Sequence, residues 1–253
     1  MMIEVLILSF IQGVTEFLPI SSSSHLILIS EFLKFEKQGL SIDVSLHIGS
    51  FIAVTFYFRE DIKKFIKNKI IFFKILLSSL PVMIIGFFLA KTGIIEQIRD
   101  IRVITWTTII FGLLLFISDR SKSDKNIEKN FNLKSAVIIG FFQILSLMPG
   151  VSRMGIALTA ARLLNFKRTD AAKISFFLSI PILAAVSIYG LSNLIFSNDI
   201  SFTKLNLISI LFSFVFSFIT IKFFLIYINK FSFNIFVIYR ILLGLILLSM
   251  AYL

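Results

Sequence analysis

Six apolar segments, each close to the length that crosses a bilayer, constrain the fold of this chain more than any other feature. They are residues 42–58, 70–90, 103–118, 174–196, 205–226 and 231–253. A membrane-spanning helix needs about 20 mainly apolar residues. Charged residues make up only 15% of the chain, whereas about a quarter of the residues of a soluble domain are charged. The sequence therefore predicts an all-α integral membrane protein with six transmembrane helices.

Two further apolar stretches are each interrupted by a polar break. Residues 2–33 contain Pro19 followed by four serines, and residues 133–164 contain Pro149-Gly150 and then Arg153. The arms on either side of each break have roughly 15 residues, which is too short to cross the membrane singly. Proline removes a backbone donor and disfavours helix at the residue before it. We predict two re-entrant helical hairpins, whose irregular tips lie against protein or a wet cavity.

Lysine and arginine are divided unevenly between the predicted loops. Sixteen of them lie in the loops of one predicted side, which are residues 59–69, 119–134, 162–173 and 222–230. The loops of the other side hold six. Because cytoplasmic loops carry an excess of basic residues, we expect the basic side to be cytoplasmic and both termini to face outward. The formal net charge of +11 then reflects solvated loops and indicates no nucleic-acid partner.

The predicted order of elements is the same in both halves of the chain, one hairpin followed by three spans. The two hairpins enter from opposite sides, so residues 2–118 and 133–253 form an inverted-topology repeat within a single membrane domain, residues 1–253. Inverted repeats with broken helices place a polar site near the midplane, where the two tips meet. We therefore expect the functional site at residues 12–25 and 149–159.

The two breaks carry the side chains that can do chemistry. Gln12 and Glu16 are four residues apart and share a helix face, as do Ser21 and His25. A new helix that begins after Pro19 points backbone N–H groups at an anion. Arg153 can grip phosphate oxygens with two parallel hydrogen bonds. Together the breaks can bind a phosphate, transfer a phosphoryl group and move a proton.

Several polar residues have a structural alternative. Intramembrane serines commonly bond to backbone carbonyls and pack helices closely. Arg240, midway along the last span, can either enter the site or hold helices together. Asp43 and His47 are four residues apart, and we expect them to form a structural pair rather than a second site. The chain has no cysteine, so thiolate catalysis and cysteine-based metal sites are excluded.

Both breaks resemble signatures of a known family. The segment from Gln12 to His25, QGVTEFLPISSSSH, resembles the first signature of the undecaprenyl-diphosphate phosphatases, the bacitracin-resistance family. The segment from Pro149 to Arg153, PGVSR, resembles the second. The similarity runs from about residue 4 to the C-terminus, and the two signatures in this order and spacing are highly specific.

The resemblance implies an enzyme that hydrolyses undecaprenyl diphosphate to undecaprenyl phosphate and inorganic phosphate at the outer, periplasmic face of the bacterial cytoplasmic membrane. The product is the recycled lipid carrier for peptidoglycan synthesis, and raised activity gives resistance to bacitracin. The family's six spans and two re-entrant segments are similar to the layout described above. The implied partners are the lipid substrate and the membrane, and the oligomeric state stays open.

Matching positions carry roles over from the family. Arg153 would hold the diphosphate and stabilise the developing charge, and Ser22 would attack the phosphorus or position a water. His25 would act as the base for that step or as the acid for the leaving group. Glu16, helped by Gln12, would bind a divalent cation, Mg²⁺ or Ca²⁺, or would orient His25. The expected substrate-binding residues are Ser21, Ser23, Ser152 and Arg153.

Three positions depart from the family pattern. Gln12 replaces the more usual Glu, which removes one anionic metal ligand. Met154 and Ala157 stand where the family usually has Ser and Thr, and neither side chain can donate to phosphate oxygens. The alternative to a hydrolase is a polyprenyl-phosphate carrier, since inverted repeats with midplane tips are a transporter architecture. Such a carrier would need the cation of Arg153 but no nucleophile beside it.

Overall fold

The computed structural model describes residues 2–32, 40–67, 69–94, 98, 100–196 and 203–252, and this part of the chain is almost entirely helical. Its only β-type pairing is one isolated bridge between Lys125 and Phe166. A 3₁₀ turn at Leu145–Leu147 follows the eighth helix. The helices are α1 Met2–Thr15, α2 Ser22–Phe32, α3 Leu40–Tyr57, α4 Arg59–Lys67, α5 Lys69–Thr92, α6 Ile101–Asp119, α7 Ile127–Asn130, α8 Leu133–Ile144, α9 Arg153–Leu163, α10 Arg168–Phe196, α11 Lys204–Lys230 and α12 Asn234–Tyr252.

Five helices of the described chain are long and apolar enough to cross a membrane, namely α5, α6, α10, α11 and α12. The count reaches six when α3 and α4, which are long and apolar enough only together, are taken as one span. This span is bent by 72° at the junction of the two helices. The prediction of an all-α, multi-pass membrane protein is confirmed. The first predicted span, residues 42–58, corresponds to α3, which ends at Tyr57 where the chain bends into α4.

Both apolar stretches with a polar break form two short helices. The first consists of α1, with 14 residues, and α2, with 11. The second consists of α8, with 12 residues, and α9, with 11. Each break ends in a serine with positive φ, 73° at Ser21 and 66° at Ser152, directly before the next helix. Non-glycine residues seldom adopt this conformation, which marks both positions as strained.

Small residues allow the helices to pack closely. Gly49 of α3 lies against the main chain of α11, so that a Cβ atom there would be 2.5 Å from the Ile210 carbonyl oxygen. Hydroxyl groups bond across the same interface: Ser213 donates to the Leu46 carbonyl oxygen over 2.7 Å, and the oxygens of Ser50 and Ser217 are 3.0 Å apart. Such close approach and interhelical hydrogen bonds replace the hydrophobic driving force that lipid cannot supply.

The largest apolar core surrounds α9 and α10 near the bend between α3 and α4. Phe58, Phe176, Phe177 and Phe224 belong to it and are at most 2% exposed. Most ring pairs among these residues pack edge-to-face or tilted, such as Phe58 with Phe177 at 5.1 Å between centroids. Aromatic rings prefer these arrangements to a face-to-face sandwich. The core therefore holds α9, which carries Arg153, in a fixed position.

A buried arginine organises the loops on the basic side. Arg162, at the end of α9, is 1% exposed and donates to the carbonyl oxygens of Asp119, Ser121 and Phe166. The Asp119 carboxylate accepts two hydrogen bonds from Arg168, over 2.7 and 3.0 Å. The expectation that the basic loops are solvated faces is therefore wrong for Arg162, whose guanidinium supplies donors to backbone groups that water does not reach.

We expect Gly49→Ala to destabilise the protein by about 1–3 kcal/mol, because the new methyl group would meet main-chain atoms of α11 that cannot move independently. Gly86→Ala is the matched control, since a Cβ there would meet only the end of the Leu147 side chain, at 3.1 Å. Both changes replace a helical glycine, so the gain in helix propensity is common to them. Thermal unfolding in detergent, followed by circular dichroism, compares the two. Equal midpoints would contradict the close contact.

Candidate active site

The two breaks meet through the carboxylate of Glu16. Its Oε2 accepts a hydrogen bond from the Ser22 hydroxyl over 2.5 Å, and its Oε1 accepts one from Arg153 Nη2 over 2.7 Å. Glu16 and Arg153 are buried, with side-chain exposures of 7% and 14%. The structure thus brings together three of the four predicted catalytic residues from opposite halves of the sequence.

Gln12 extends this group of side chains from α1 to α3. It is completely buried, and its Nε2 lies 3.2 Å from Glu16 Oε2 and 3.2 Å from Nδ1 of His47. The sequence did not predict this contact of His47 with Gln12, and the expected pairing of His47 with Asp43 stays a prediction. One amide group links the carboxylate of the first break to an imidazole on a different helix.

These side chains line a polar cavity of about 190 Å³. The cavity wall includes the predicted substrate-binding residues of both breaks together with three polar residues that the sequence did not single out for this role, Thr15, His47 and Ser146. The polar lining residues are Thr15, Glu16, Ser21, Ser22, Ser23, His47, Ser146, Ser152 and Arg153. Neither Met154 nor Ala157 lines it, and both belong to the apolar core. Met154 instead accepts a hydrogen bond from Ser175 at its thioether sulfur.

The backbone at the second break is arranged for an anion. Ser152 caps α9, since its Oγ accepts a hydrogen bond from the Gly155 N–H over 3.1 Å. The N–H groups at the start of a helix have no partner within that helix, and they carry a partial positive charge. The first residue of α9 is Arg153 itself. Backbone and side chain therefore offer donors from the same place on the cavity wall.

Arg240 joins the two breaks from outside the cavity. It is completely buried in α12 and donates to the carbonyl oxygens of Pro19 over 3.2 Å and of Gly150 over 2.8 Å. It also donates to carbonyl oxygens of Thr107, Thr108 and Val151. No ion pair with a carboxylate is found for it within the described residues. Of the two alternatives left by the sequence, the structure supports the one in which Arg240 holds elements together.

His25 lies beside the cavity but is not part of its wall. Its Nδ1 is 2.6 Å from the Ser21 carbonyl oxygen, and its Nε2 is 2.6 Å from the Tyr239 hydroxyl. Because a carbonyl oxygen only accepts, Nδ1 carries the hydrogen and Nε2 accepts from Tyr239. Both nitrogens are thus engaged, one with the Ser21 carbonyl and one with Tyr239, and the predicted role of His25 as acid or base stays a prediction.

The described residues offer few ligands for the divalent cation that the family resemblance implies, and its presence stays a prediction. No group of three or more His, Cys, Asp or Glu side chains capable of holding an ion occurs among them. Both oxygens of Glu16 already accept hydrogen bonds, from Ser22, Gln12 and Arg153. Gln12 Oε1 is buried without a hydrogen-bond partner, but one amide oxygen is far from the six or more oxygens that Ca²⁺ or Mg²⁺ takes.

An apolar cavity of about 350 Å³ lies next to the polar one, between α5 and α10. The two share four wall residues, which are Val82, Leu147, Ile182 and Val186. From there the apolar cavity extends to Ala90 near the end of α5 and to Tyr189 of α10. A polar chamber thus lies directly beside a channel of hydrocarbon-like lining, with a shared wall.

Comparison with known proteins decides the family. The sequence model of the protein family described as bacitracin resistance protein BacA matches residues 5–246. The chain belongs to this family. It is 48% identical to an undecaprenyl-diphosphatase of Pelagibacter ubique over 99% of this chain and 98% of that protein. It is 40% identical to an undecaprenyl-diphosphatase of Alteromonas mediterranea, and 37% identical to one of Jannaschia, with 97% of each chain covered in both cases.

We expect Arg240→Met to lower the free energy of unfolding by at least about 2 kcal/mol, because carbonyl groups of both breaks would lose their donor while buried. Arg240→Lys should have an intermediate effect, since an ammonium group has only three donors at one point. Arg59→Met is the control, because the Arg59 side chain is 56% exposed. Thermal unfolding in detergent measures all three. The cross-link is disproved if the Arg240 variants unfold at the temperature of the control.

Proposed function

We propose that this protein hydrolyses undecaprenyl diphosphate to undecaprenyl phosphate and inorganic phosphate, which recycles the lipid carrier for peptidoglycan synthesis and confers resistance to bacitracin. Its membership of the BacA family and its similarity to proteins named undecaprenyl-diphosphatase over nearly their whole length support this activity.

One observation carries the proposal, namely a polar cavity with a hydroxyl, a carboxylate and a guanidinium that lies directly beside an apolar channel. Ser22, Glu16 and Arg153 are joined by hydrogen bonds of 2.5 and 2.7 Å at the polar end. The channel beyond Val82 and Ile182 has the chemistry of an isoprenoid chain. A diphosphate joined to a long hydrocarbon matches both parts at once.

The contacts of Glu16 suggest the sequence of steps. When the diphosphate enters, Arg153 turns from Glu16 to the terminal phosphoryl oxygens, and Glu16 becomes a better proton acceptor for the Ser22 hydroxyl. Ser22 Oγ attacks the terminal phosphorus and its proton passes to Glu16. The bond from phosphorus to the bridging oxygen breaks, and undecaprenyl phosphate leaves with the electron pair. Water then cleaves the phosphoserine, and Ser22 recovers its proton from Glu16.

A carrier that only moves the lipid phosphate is not favoured. Such a carrier needs a cation such as Arg153 to hold the headgroup. It gains nothing from the hydroxyl of Ser22 donating to the carboxylate of Glu16 beside that cation. The short contact between these two groups is what phosphoryl transfer to an oxygen nucleophile requires.

We also propose that the two halves form an inverted repeat with re-entrant hairpins and that the site opens to the outer, periplasmic side. The packing supports the repeat, since α1 lies on α11 as α8 lies on α5, while α3 meets α10 and α6 meets α12. The matching strained serines Ser21 and Ser152 support equivalent tips. Both α5 and α10 begin near the basic loops, and the apolar cavity extends toward their other ends.

A divalent cation, Mg²⁺ or Ca²⁺, remains a proposal from the family resemblance. Because the cavity wall offers a single carboxylate, Glu16, with both oxygens engaged, we propose that any such ion is held mainly by the substrate diphosphate and water. No step above depends on it.

Glu16→Gln, Ser22→Ala and Arg153→Met should each lower kcat for phosphate release from undecaprenyl diphosphate at least about hundredfold, because each removes a partner in proton transfer or charge stabilisation. Release of inorganic phosphate by the detergent-purified protein measures this, with Mg²⁺, with Ca²⁺ and with EDTA. Ser209→Ala is the control, since its buried hydroxyl bonds only within α11 and lies outside the cavity.

Two results would contradict the activity or the site. A wild-type protein that releases no phosphate under any of the three conditions is not this enzyme. Wild-type rates in all three site variants would place the reaction elsewhere in the molecule. Retained folding of the variants, checked by circular dichroism, makes either result interpretable.

The absence of native cysteine allows the orientation to be tested directly. In spheroplasts, a membrane-impermeant maleimide should label Thr92→Cys, at the end of α5, and should not label Asp124→Cys, in the loop after α6. Both native side chains are exposed, so access to the reagent depends on the side of the membrane. Permeabilised cells provide the positive control for Asp124→Cys. The reverse labelling pattern would invert the proposed topology.

A further inference from the structure

His47 is an imidazole in the wall of the polar cavity that the steps above do not use. It lies on α3 and lines the same cavity as Ser22 and Arg153. Only its Nδ1 takes part in a hydrogen bond within the described residues, with Gln12 Nε2 at 3.2 Å. His47 is only partly buried and belongs to the cavity wall, and no hydrogen bond engages its Nε2 within the described residues.

The contacts of Gln12 determine which nitrogen of His47 carries the hydrogen. Gln12 places the same amide end near Glu16 Oε2 and near His47 Nδ1. A carboxylate only accepts hydrogen bonds, so this end is the NH₂ group, which only donates. Nδ1 must therefore accept, and in a neutral imidazole the hydrogen then lies on Nε2. Nε2 is therefore a donor.

No other histidine side chain lines the cavity in the described part of the chain. His25 has both nitrogens bonded, to the Ser21 carbonyl and to Tyr239, and it does not line the cavity. The ionisable side chains in the cavity wall besides His47 are Glu16 and Arg153, and Asp43 lies one turn earlier on α3. The helices α10 and α11, which pack on α3, carry no ionisable residue at 174–188 or 205–221.

We propose that His47 is a substrate-binding residue whose Nε2–H donates a hydrogen bond to a phosphoryl oxygen of the diphosphate. This assignment rests on the proposed phosphatase function and adds a donor from α3 to those of the two breaks. Hydrogen bonds to charged phosphoryl oxygens are about twice as strong as bonds between neutral groups.

The same assignment explains the Gln at position 12. A Glu there could only accept, so it would take the hydrogen of His47 Nδ1 and leave Nε2 of a neutral ring as an acceptor. An acceptor nitrogen cannot form a hydrogen bond with a phosphoryl oxygen, because both atoms carry lone pairs and neither carries a hydrogen. Gln12 and His47 therefore work as a pair, in which the amide keeps the imidazole in the tautomer that can bind an anion.

Steady-state phosphate release from undecaprenyl diphosphate by the purified full-length protein tests the role of His47. His47→Leu should lower kcat/KM about tenfold to a hundredfold, mainly through a higher KM, because a charged hydrogen bond to the bound substrate is lost. His47→Gln should recover most of this loss, since its carbonyl oxygen can accept from Gln12 while its NH₂ group donates to phosphate. His47→Met is a second variant without a donor.

Thr55→Val is the matched control on the same helix. The Thr55 hydroxyl is buried without a hydrogen-bond partner and lies outside the cavity, so this change should leave kcat and KM unaltered. Wild-type kcat/KM in folded His47→Leu or His47→Met overturns the assignment, and so does an equal loss in His47→Gln. If the wild type releases no phosphate, the proposed function itself fails, and the assignment fails with it.

Discussion

The ion pair between Glu16 and Arg153 is the interaction on which the arrangement of the site depends. It joins two chain breaks that are 137 residues apart, over 2.7 Å. Burying either charge alone would cost several kcal/mol, and the attraction of a pair offsets this only when further hydrogen bonds satisfy the remaining atoms. Ser22 and Gln12 supply those bonds to Glu16. The donors that make the pair tolerable are also the groups that a phosphoryl transfer needs.

The balance of charge around the breaks favours an anionic ligand. Two buried guanidinium groups, Arg153 and Arg240, contact the breaks, and Glu16 is the carboxylate that faces them within the described residues. Arg240 bonds only to neutral carbonyl groups, so its charge is not cancelled locally. In a site of low dielectric, an excess of fixed positive charge stabilises a diphosphate strongly. Arg240, which joins the two breaks by hydrogen bonds, therefore also adds positive charge beside the cavity.

Several features could be predicted from the sequence because they depend on local chemistry. Pro19 and Pro149 interrupt apolar stretches, and the helices end near both prolines. The predicted repeat led to the expectation that residues 12–25 and 149–159 meet. The choice of Glu16, Ser22 and Arg153 within these segments came from the family resemblance. The bend of 72° between α3 and α4 was not predicted, because residues 58–67 form an amphipathic segment whose direction depends on packing against Phe177 and not on its own composition.

The sequence by itself determined that the chain lies in a membrane, roughly where it spans the bilayer, and where the two polar breaks occur. These features depend on hydrophobicity and on the missing N–H group and fixed φ of proline. Only the tertiary structure shows which of the two histidines lines the cavity. His25 stands within the serine-rich signature, yet its nitrogens bond to Ser21 and Tyr239, whereas His47 lines the cavity and contacts Gln12. Helical spacing tells which side chains share a face, but it does not tell which face meets a partner 35 residues away. That choice depends on the close packing of helices around small residues such as Gly49.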